Sequence, residues 1–217
     1  MSEDMQMTKK FLSVLTLGVI VALISIQSAH AMTTIEFYRL ARKLKHIQPF
    51  AVTVQSACET GHWTSDIWKR GYNGAGLKVS SEWLNAGKPY ITKNSVESRN
   101  GVYANETSKF RKYKSPEEFL RDYTKKIRQD YPRCARNRDN IWGYFAGLYA
   151  GRKGKWATDH KYYEKLTVKA IKLAPEIYGF KWKQKLIKDF KVASKRKSLE
   201  KWQKDIISSE LKKANVL

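Results

Sequence analysis

Apolar residues recur along this chain at helical rather than strand spacing, and their grouping predicts a helical domain interrupted once by a short β element. After an apolar run at 11–26, the first periodic segment is 33–46, with Ile35, Tyr38, Leu40, Ala41 and Leu44 repeating at helical intervals. Pro49 separates it from a second helix over 50–58. There Phe50, Ala51, Val52, Val54, Ala57 and Cys58 cover most of the circumference, so this helix is predicted to be buried nearly all round. From 71 to 114 the pattern breaks into short runs with Gly, Asn, Pro, Thr and Tyr, the texture of loops around a small β-hairpin turning at Asn100-Gly101. Ser115-Pro116-Glu117-Glu118 supplies an N-cap serine, a proline at the first helical position and a glutamate at the third, and starts a helix carrying Phe119, Leu120 and Tyr123. Pro132 and the polar stretch 137–140 interrupt the helices before an aromatic-rich one over 141–149. A last helix of the domain runs through Tyr162, Leu166, Ala170 and Leu173 and is expected to stop before Pro175.

The two ends differ from the middle. Lys9-Lys10, the apolar run and Ala29-His30-Ala31 have the order of a secretory signal, short for a membrane span, so the mature chain is predicted to start at Met32, with an uncleaved anchor as the alternative. Beyond Gly179 there are twelve Lys or Arg against four acids, with Trp182, Leu186, Phe190 and Ala193 recurring about once per helical turn. This predicts a basic amphipathic helical tail over 180–217 after a domain at 32–179. The whole chain has 42 Lys and Arg against 20 Asp and Glu, a net charge of +22, and the predicted leader takes away equal numbers of each sign. Such a charge points to a polyanionic partner. For an exported protein, periplasmic or secreted, the anionic polymers and peptide carboxylates of a cell envelope fit best, or a membrane surface met through the tail; no specific nucleic acid is expected.

The candidate chemistry centres on Glu59. Gly61 ends the buried helix and places Glu59 in its last turn, near the negative end of the helix dipole. Burial and dipole both disfavour the anion and raise a carboxyl pKa, which suits a general acid; a glutamate that snorkels to the surface from a helix end is the competing reading. Cys58 and Cys134 allow one bridge in an oxidising compartment. His46, His62 and His160 are scattered without ligand spacing and no C-x-x-C occurs, so no metal site is expected, and no cofactor is implied.

Four blocks in order resemble one family. Gln55-Ser56-Ala57-Cys58-Glu59-Thr60-Gly61, followed by His62-Trp63-Thr64-Ser65, is similar to the Q-x-A-x-E-S/T-G-x-x-x-S of the peptidoglycan-cleaving glucosaminidases of glycoside hydrolase family 73. Tyr72-Asn73-Gly74-Ala75-Gly76-Leu77-Lys78 resembles that family's N-N-x-F-G-I/M-K, with Tyr72 and Ala75 as departures. Phe110-Arg111-Lys112-Tyr113 resembles its F-R-x-Y, and 157–166 its A-T-D-P-x-Y-x-x-K-L, with His160 for the proline and Trp156 where a tyrosine usually precedes. The resemblance covers about 35–178 and implies an α+β, mostly helical, lysozyme-like domain with a small hairpin over the cleft.

The same resemblance implies the site. Glu59 would be the acid that cleaves a β-1,4 bond on the reducing side of N-acetylglucosamine in peptidoglycan glycan strands. Counting back from Phe110 puts Glu97 where the hairpin's second glutamate lies, with Glu106 as its rival in another register. Glu97 would activate water, or the substrate's own N-acetyl oxygen would attack with Tyr162 orienting it. Tyr162 would otherwise be a core aromatic. Asn73, Lys78, Trp83 and Asp159 are the candidate substrate contacts, although Asn73 and Lys78 would serve equally to shape a loop and Asp159 to cap a helix. An inhibitor protein is a further conceivable partner. Two readings of another class stand beside the hydrolase: a non-catalytic envelope-binding module, and a basic nucleic-acid- or membrane-binding protein acting through 180–217.

Overall fold

The computed structural model describes residues 32–99, 102–157 and 160–217, and side chains throughout these except at 95–99 and 102–106. The predicted leader, the Asn100-Gly101 turn and Asp159 lie outside the described residues, as do the side chains of Glu97 and Glu106. Residues 32–217 form one compact unit.

Helix α1 (Thr34–Lys43) starts at a capping box in which Thr33 and Glu36 hold each other's backbone N–H. Its buried stripe is Thr34, Phe37 and Ala41, a shift from the face proposed from Ile35, which is 38% exposed. Phe37 outweighs Ile35 because its ring reaches Trp63 and Trp68, with centroids at 4.9 and 6.0 Å. Helix α2 (Pro49–Glu59) is the central strut. Gln48 caps it, accepting from Phe50 N at 2.9 Å and Ala51 N at 3.2 Å, and every residue from Phe50 to Ala57 is buried. Its interior polar groups are satisfied: Thr53 donates to Pro49 O at 2.8 Å, and Ser56 Oγ accepts from Trp63 Nε1 at 2.9 Å.

Two short helices follow, α3 (Asp66–Gly71) and α4 (Ser81–Asn85), each capped by the serine before it. Strands β1 (Tyr90–Arg99) and β2 (Val102–Arg111) then pair antiparallel in a two-stranded sheet. Ile91 and Phe110 pair at the root and are buried, whereas Glu97 pairs with Ala104, six residues along β1 and hence roughly 20 Å from Ile91 at strand rise. The root is tied to the loop before α4. Lys78 bridges Phe110, Arg111 N donates to Leu77 O at 2.9 Å and Val79 N to Lys109 O at 3.0 Å.

Helix α5 (Pro116–Asp130) begins at the Ser115 cap and buries Phe119, Leu120, Tyr123 and Ile127. Helices α6 (Pro132–Arg136) and α7 (Ile141–Gly147) lead to α8 (His160–Tyr178). The last of these does not stop before Pro175 but continues through it. The proline falls in the last turn, where few further carbonyl bonds are lost, and Tyr178 packs edge-on against Phe50 at 4.9 Å. The core is aromatic, with Trp142, Tyr123, Tyr144, Tyr163, Phe119 and Phe145 all but inaccessible.

Residues 180–217 form helices α9 (Trp182–Lys195) and α10 (Lys201–Lys213), but not as an appendage. Leu186, Ala193, Leu199, Ile207 and Leu211 are buried in the same core as α2 and α8. Trp142 donates its indole N–H to Leu186 O at 3.1 Å, Asn140 donates to Asp189 O, and Trp202 packs on Tyr149 and Tyr163 at 5.4 Å. The periodicity read as amphipathic is the inward face of a structural layer, and the lysines are its outer face. Among the described residues no helix is long and apolar enough to cross a membrane.

Candidate active site

Glu59 is the last residue of α2, and the backbone beyond it is fixed tightly. His62 N bonds back to Ala57 O at 2.9 Å across Gly61, which has φ +56°, so the helix closes in a Schellman turn around the glycine. His62 and Trp63 are left-handed as well, at φ 56° and 60°, an arrangement costing about 1–2 kcal/mol per non-glycine residue. The Trp63 indole bond to Ser56 and its stack on Phe37 offset that cost. Gly74, in the facing loop, is required by closeness: a Cβ there would lie 2.6 Å from both Phe119 and the Ser56 hydroxyl.

The Glu59 carboxylate opens onto a cleft of about 460 Å³, lined also by Ala75, Gly76, Leu77, Lys78, Tyr131, Trp156, Ala157 and Tyr162. Its Oε1 accepts from the Tyr162 hydroxyl at 2.7 Å and from the Trp156 indole at 3.1 Å, while Oε2 has no partner among the described residues. The side chain is exposed to water at the cleft mouth, as the competing surface reading expected, while the cleft walls still strip part of its hydration. This desolvation raises the carboxyl above its ordinary range, against the Tyr162 and Trp156 bonds and the Lys165 charge, which pull it down.

Behind Glu59 lies a directed chain of hydrogen bonds. Tyr123 donates to Gln55 Oε1, which fixes the amide; Gln55 Nε2 donates to the Tyr162 oxygen at 3.2 Å; the Tyr162 proton is thereby turned toward Glu59. Gln55 is wholly buried one helical turn before Glu59. The hydroxyl on Glu59 is thus oriented from the core.

Comparison with known proteins fits this geometry. The sequence model of the glucosaminidase family, described as mannosyl-glycoprotein endo-beta-N-acetylglucosaminidase, matches residues 35–173. The chain belongs to this family. It is a glycoside hydrolase with the mostly helical, lysozyme-like fold that its motifs suggested. Among solved structures it is similar in fold to the catalytic domain of the autolysin Auto from Listeria monocytogenes, with 22% identity, 79% of this chain and 97% of that one covered, and a TM-score of 0.54. It also matches a peptidoglycan hydrolase mutant from Sphingomonas sp. A1 (26% identity, 70% and 95% covered, TM-score 0.49). A third match is a C-terminally truncated glycoside hydrolase domain of FlgJ from Salmonella typhimurium (25%, 63% and 92%, 0.49). No curated protein matches the chain.

In this glucosaminidase the fold brings Glu59, Tyr162 and Lys78 to one cleft and leaves other candidates elsewhere. Asn73 is fully buried, and its amide is saturated. Nδ2 donates to Leu77 O and Arg111 O, both at 2.9 Å, and Oδ1 accepts from Ala75 N at 3.4 Å and Leu77 N at 2.9 Å, so it shapes the cleft loop and keeps no polar valence for a sugar. Trp83 is 6% exposed, donates to Pro89 O at 3.0 Å and lines a neighbouring recess rather than the Glu59 cleft. Glu97 is placed by strand register alone. Cys58 and Cys134 are free thiols; Cys134 donates to Tyr144 O from the core, and the bridge the sequence allowed is not formed.

Trp156, Tyr131, Gln55 and Tyr123 join the site without having been singled out as its members. Gln55 carried a signal, since it lies four residues before Glu59 and so on the same helix face. Trp156 carried only its position ahead of the Ala157 motif. Among the described residues no group of three or more His, Cys, Asp or Glu is arranged to hold a metal ion.

Proposed function

We propose that this glucosaminidase is an exported peptidoglycan hydrolase that cleaves the β-1,4 bond on the reducing side of N-acetylglucosamine, with Glu59 as general acid. The observation that carries this reading is the division of labour within the carboxyl. Oε1 is held by two donors, and Oε2 is left to bear the proton that the leaving oxygen needs. Burial keeps that proton on longer than in water. For the opposite face of the sugar, water activated by Glu97 would give inversion with the carboxyls ~6.5–9.5 Å apart, whereas attack by the N-acetyl oxygen, steadied by Tyr162, would give retention. The anomer of the first-formed product, read by NMR, separates the two routes.

The charge of +22 and the signal-like first 31 residues support export to an anionic envelope, with the exposed lysines of α9 and α10 adding attraction to its polymers. The test is digestion of purified peptidoglycan by the protein and by Glu59→Gln, with mass spectrometry of the reduced products. Reduced N-acetylglucosamine ends from the unsubstituted protein alone support the assignment. Reduced N-acetylmuramic acid ends or 1,6-anhydro ends overturn the bond assignment, and equal digestion by Glu59→Gln overturns the role of Glu59.

A further inference from the structure

Beside the Glu59 cleft lies a larger recess, of about 550 Å³, whose chemistry the cleavage of a neutral glycan does not require. Its wall carries six cations, Lys78, Lys88, Arg111, Lys125, Lys126 and Lys153, against three acids. Two of those acids are already engaged. Asp122 accepts from Arg111 and from the Tyr113 hydroxyl, both at 2.7 Å, and Asp130 pairs with Lys126 at 2.8 Å. The third, Glu82, is fully exposed, hydrogen-bonds with Ser80 and lies in the field of Lys153 and Arg111, so the recess keeps an excess of three positive charges. Lys125 makes no hydrogen bond or ion pair with any described residue. The Trp83 ring already holds cations here, with the Lys88 ammonium 4.7 Å and the Arg111 guanidinium 4.8 Å from its centroid.

The recess adjoins the cleft. Lys78 lines both, and the consecutive residues Asp130 and Tyr131 line one each. Sugar hydroxyls are met by neutral donors, acceptors and ring faces, whereas a surplus of ammonium groups in a concave surface repels itself until an anion arrives. We propose that this recess is a subsite for carboxylate substituents carried by the glycan strand, placed so that a bond beside a charged branch is presented to Glu59. The proposal rests on the reading of the cleft as a glycan site. The carboxylate has two sources in a peptidoglycan strand, the stem peptide and the lactyl group that remains once the peptide is removed, and the recess chemistry serves either.

The test uses the full chain carrying Glu59→Gln, so that ligands are bound without turnover, and measures dissociation constants calorimetrically for three oligomers of equal length. One carries stem peptides, one has lost them to an amidase and retains lactyl carboxylates, and one is a neutral chitooligosaccharide. Lys125→Glu/Lys153→Glu changes two exposed side chains, and Glu is a good helix former at 125. It is expected to lower the preference for the anionic over the neutral oligomer about tenfold, an effect that shrinks as salt rises. Arg39→Glu/Lys43→Glu, the same charge change on the exposed face of α1, is expected to leave that preference as it was. A fall for the peptide-bearing oligomer alone identifies the stem-peptide carboxylates as the occupant, a fall for the amidase-treated oligomer alone identifies the lactyl carboxylate, and a fall for both shows that the recess takes either. An unchanged preference, or an equal fall in the α1 variant, overturns the proposal. The bond that is cut is read independently from the product ends, so a wrong bond assignment and an idle recess give different results.

Discussion

Removing a single oxygen, in Tyr162→Phe, tests the account of Glu59 most directly. The hydroxyl donates to Glu59 Oε1 at 2.7 Å and accepts from Gln55 Nε2 at 3.2 Å, so the substitution acts on the carboxyl and on the core behind it. A hydrogen bond to a charged group contributes roughly 1.5–3 kcal/mol, and about 1.4 kcal/mol corresponds to one pH unit. Because the cleft is open and water takes part of the lost place, the lower end applies, or about one unit. The sign follows from which form the bond favours. The Tyr162 hydroxyl stabilises the carboxylate, so its loss holds the proton on Glu59 to higher pH. Activity that requires protonated Glu59 falls as pH rises through the carboxyl pKa, and the alkaline limb of kcat/KM on a soluble glycan is therefore expected to move upward by about one pH unit. Trp156→Phe, which removes the longer 3.1 Å bond to the same oxygen, is expected to move it the same way by less. The height of the profile reports any direct work by Tyr162 on substrate, and the position of the limb reports the carboxyl. A limb that stays in place, or moves downward, would show that the Tyr162 bond does not set the protonation of the catalytic acid.

Three further expectations follow from the packing. Leu186→Ala opens a cavity at a fully buried site and should cost about 2–5 kcal/mol, visible as a fall in Tm of several degrees, and deletion of 180–217 should abolish the cooperative melt; a truncated chain that melts like the full one would return the segment to the status of a tail. Asn73→Ala removes four hydrogen bonds from a buried loop and should cost about 2–4 kcal/mol, measured by thermal unfolding. His46 is fully buried, accepts from Gln48 N through Nδ1, and is pushed down to about 3 by burial, so its imidazole NMR signals should not titrate between pH 5 and 8. Since the folded chain resists protonation that the unfolded chain accepts near 6.5, stability should decline as pH falls from there toward about 3, and less steeply in His46→Phe.

Local signals carried much of the fold. The all-round apolar run of α2, the Gly61 stop, the Ser115-Pro116 start and the 3.6-residue repeats of α5 and α8 are properties of neighbouring residues, and the chain obeys them because caps and periodicity act within one or two turns. The expected stop before Pro175 did not hold, because proline's cost depends on how many helical bonds remain to be lost, and Tyr178 found Phe50.

The candidate site was legible where its residues sit in motifs. Glu59 and Tyr162 stand 103 positions apart yet meet in one cleft, and the family resemblance pointed to both. Trp156 joined them without comparable notice, because an indole in a basic loop has no periodicity to mark it. Asn73 shows the converse. Its motif made it a candidate for sugar, but only the three-dimensional course of the 73–77 loop and β2 shows that every polar valence of its amide is already taken.

Sequence by itself determined the family, the central buried helix, its terminal carboxylate and the excess of positive charge, because each is written in contiguous residues or in a sum over them. Tertiary structure decided which apolar stripes meet, and so made residues 180–217 part of the core rather than a tail. It also decided which donors reach Glu59 and where the lysines gather beside the cleft. These depend on side chains distant in sequence arriving within a few ångströms of one another, and no local propensity sets that.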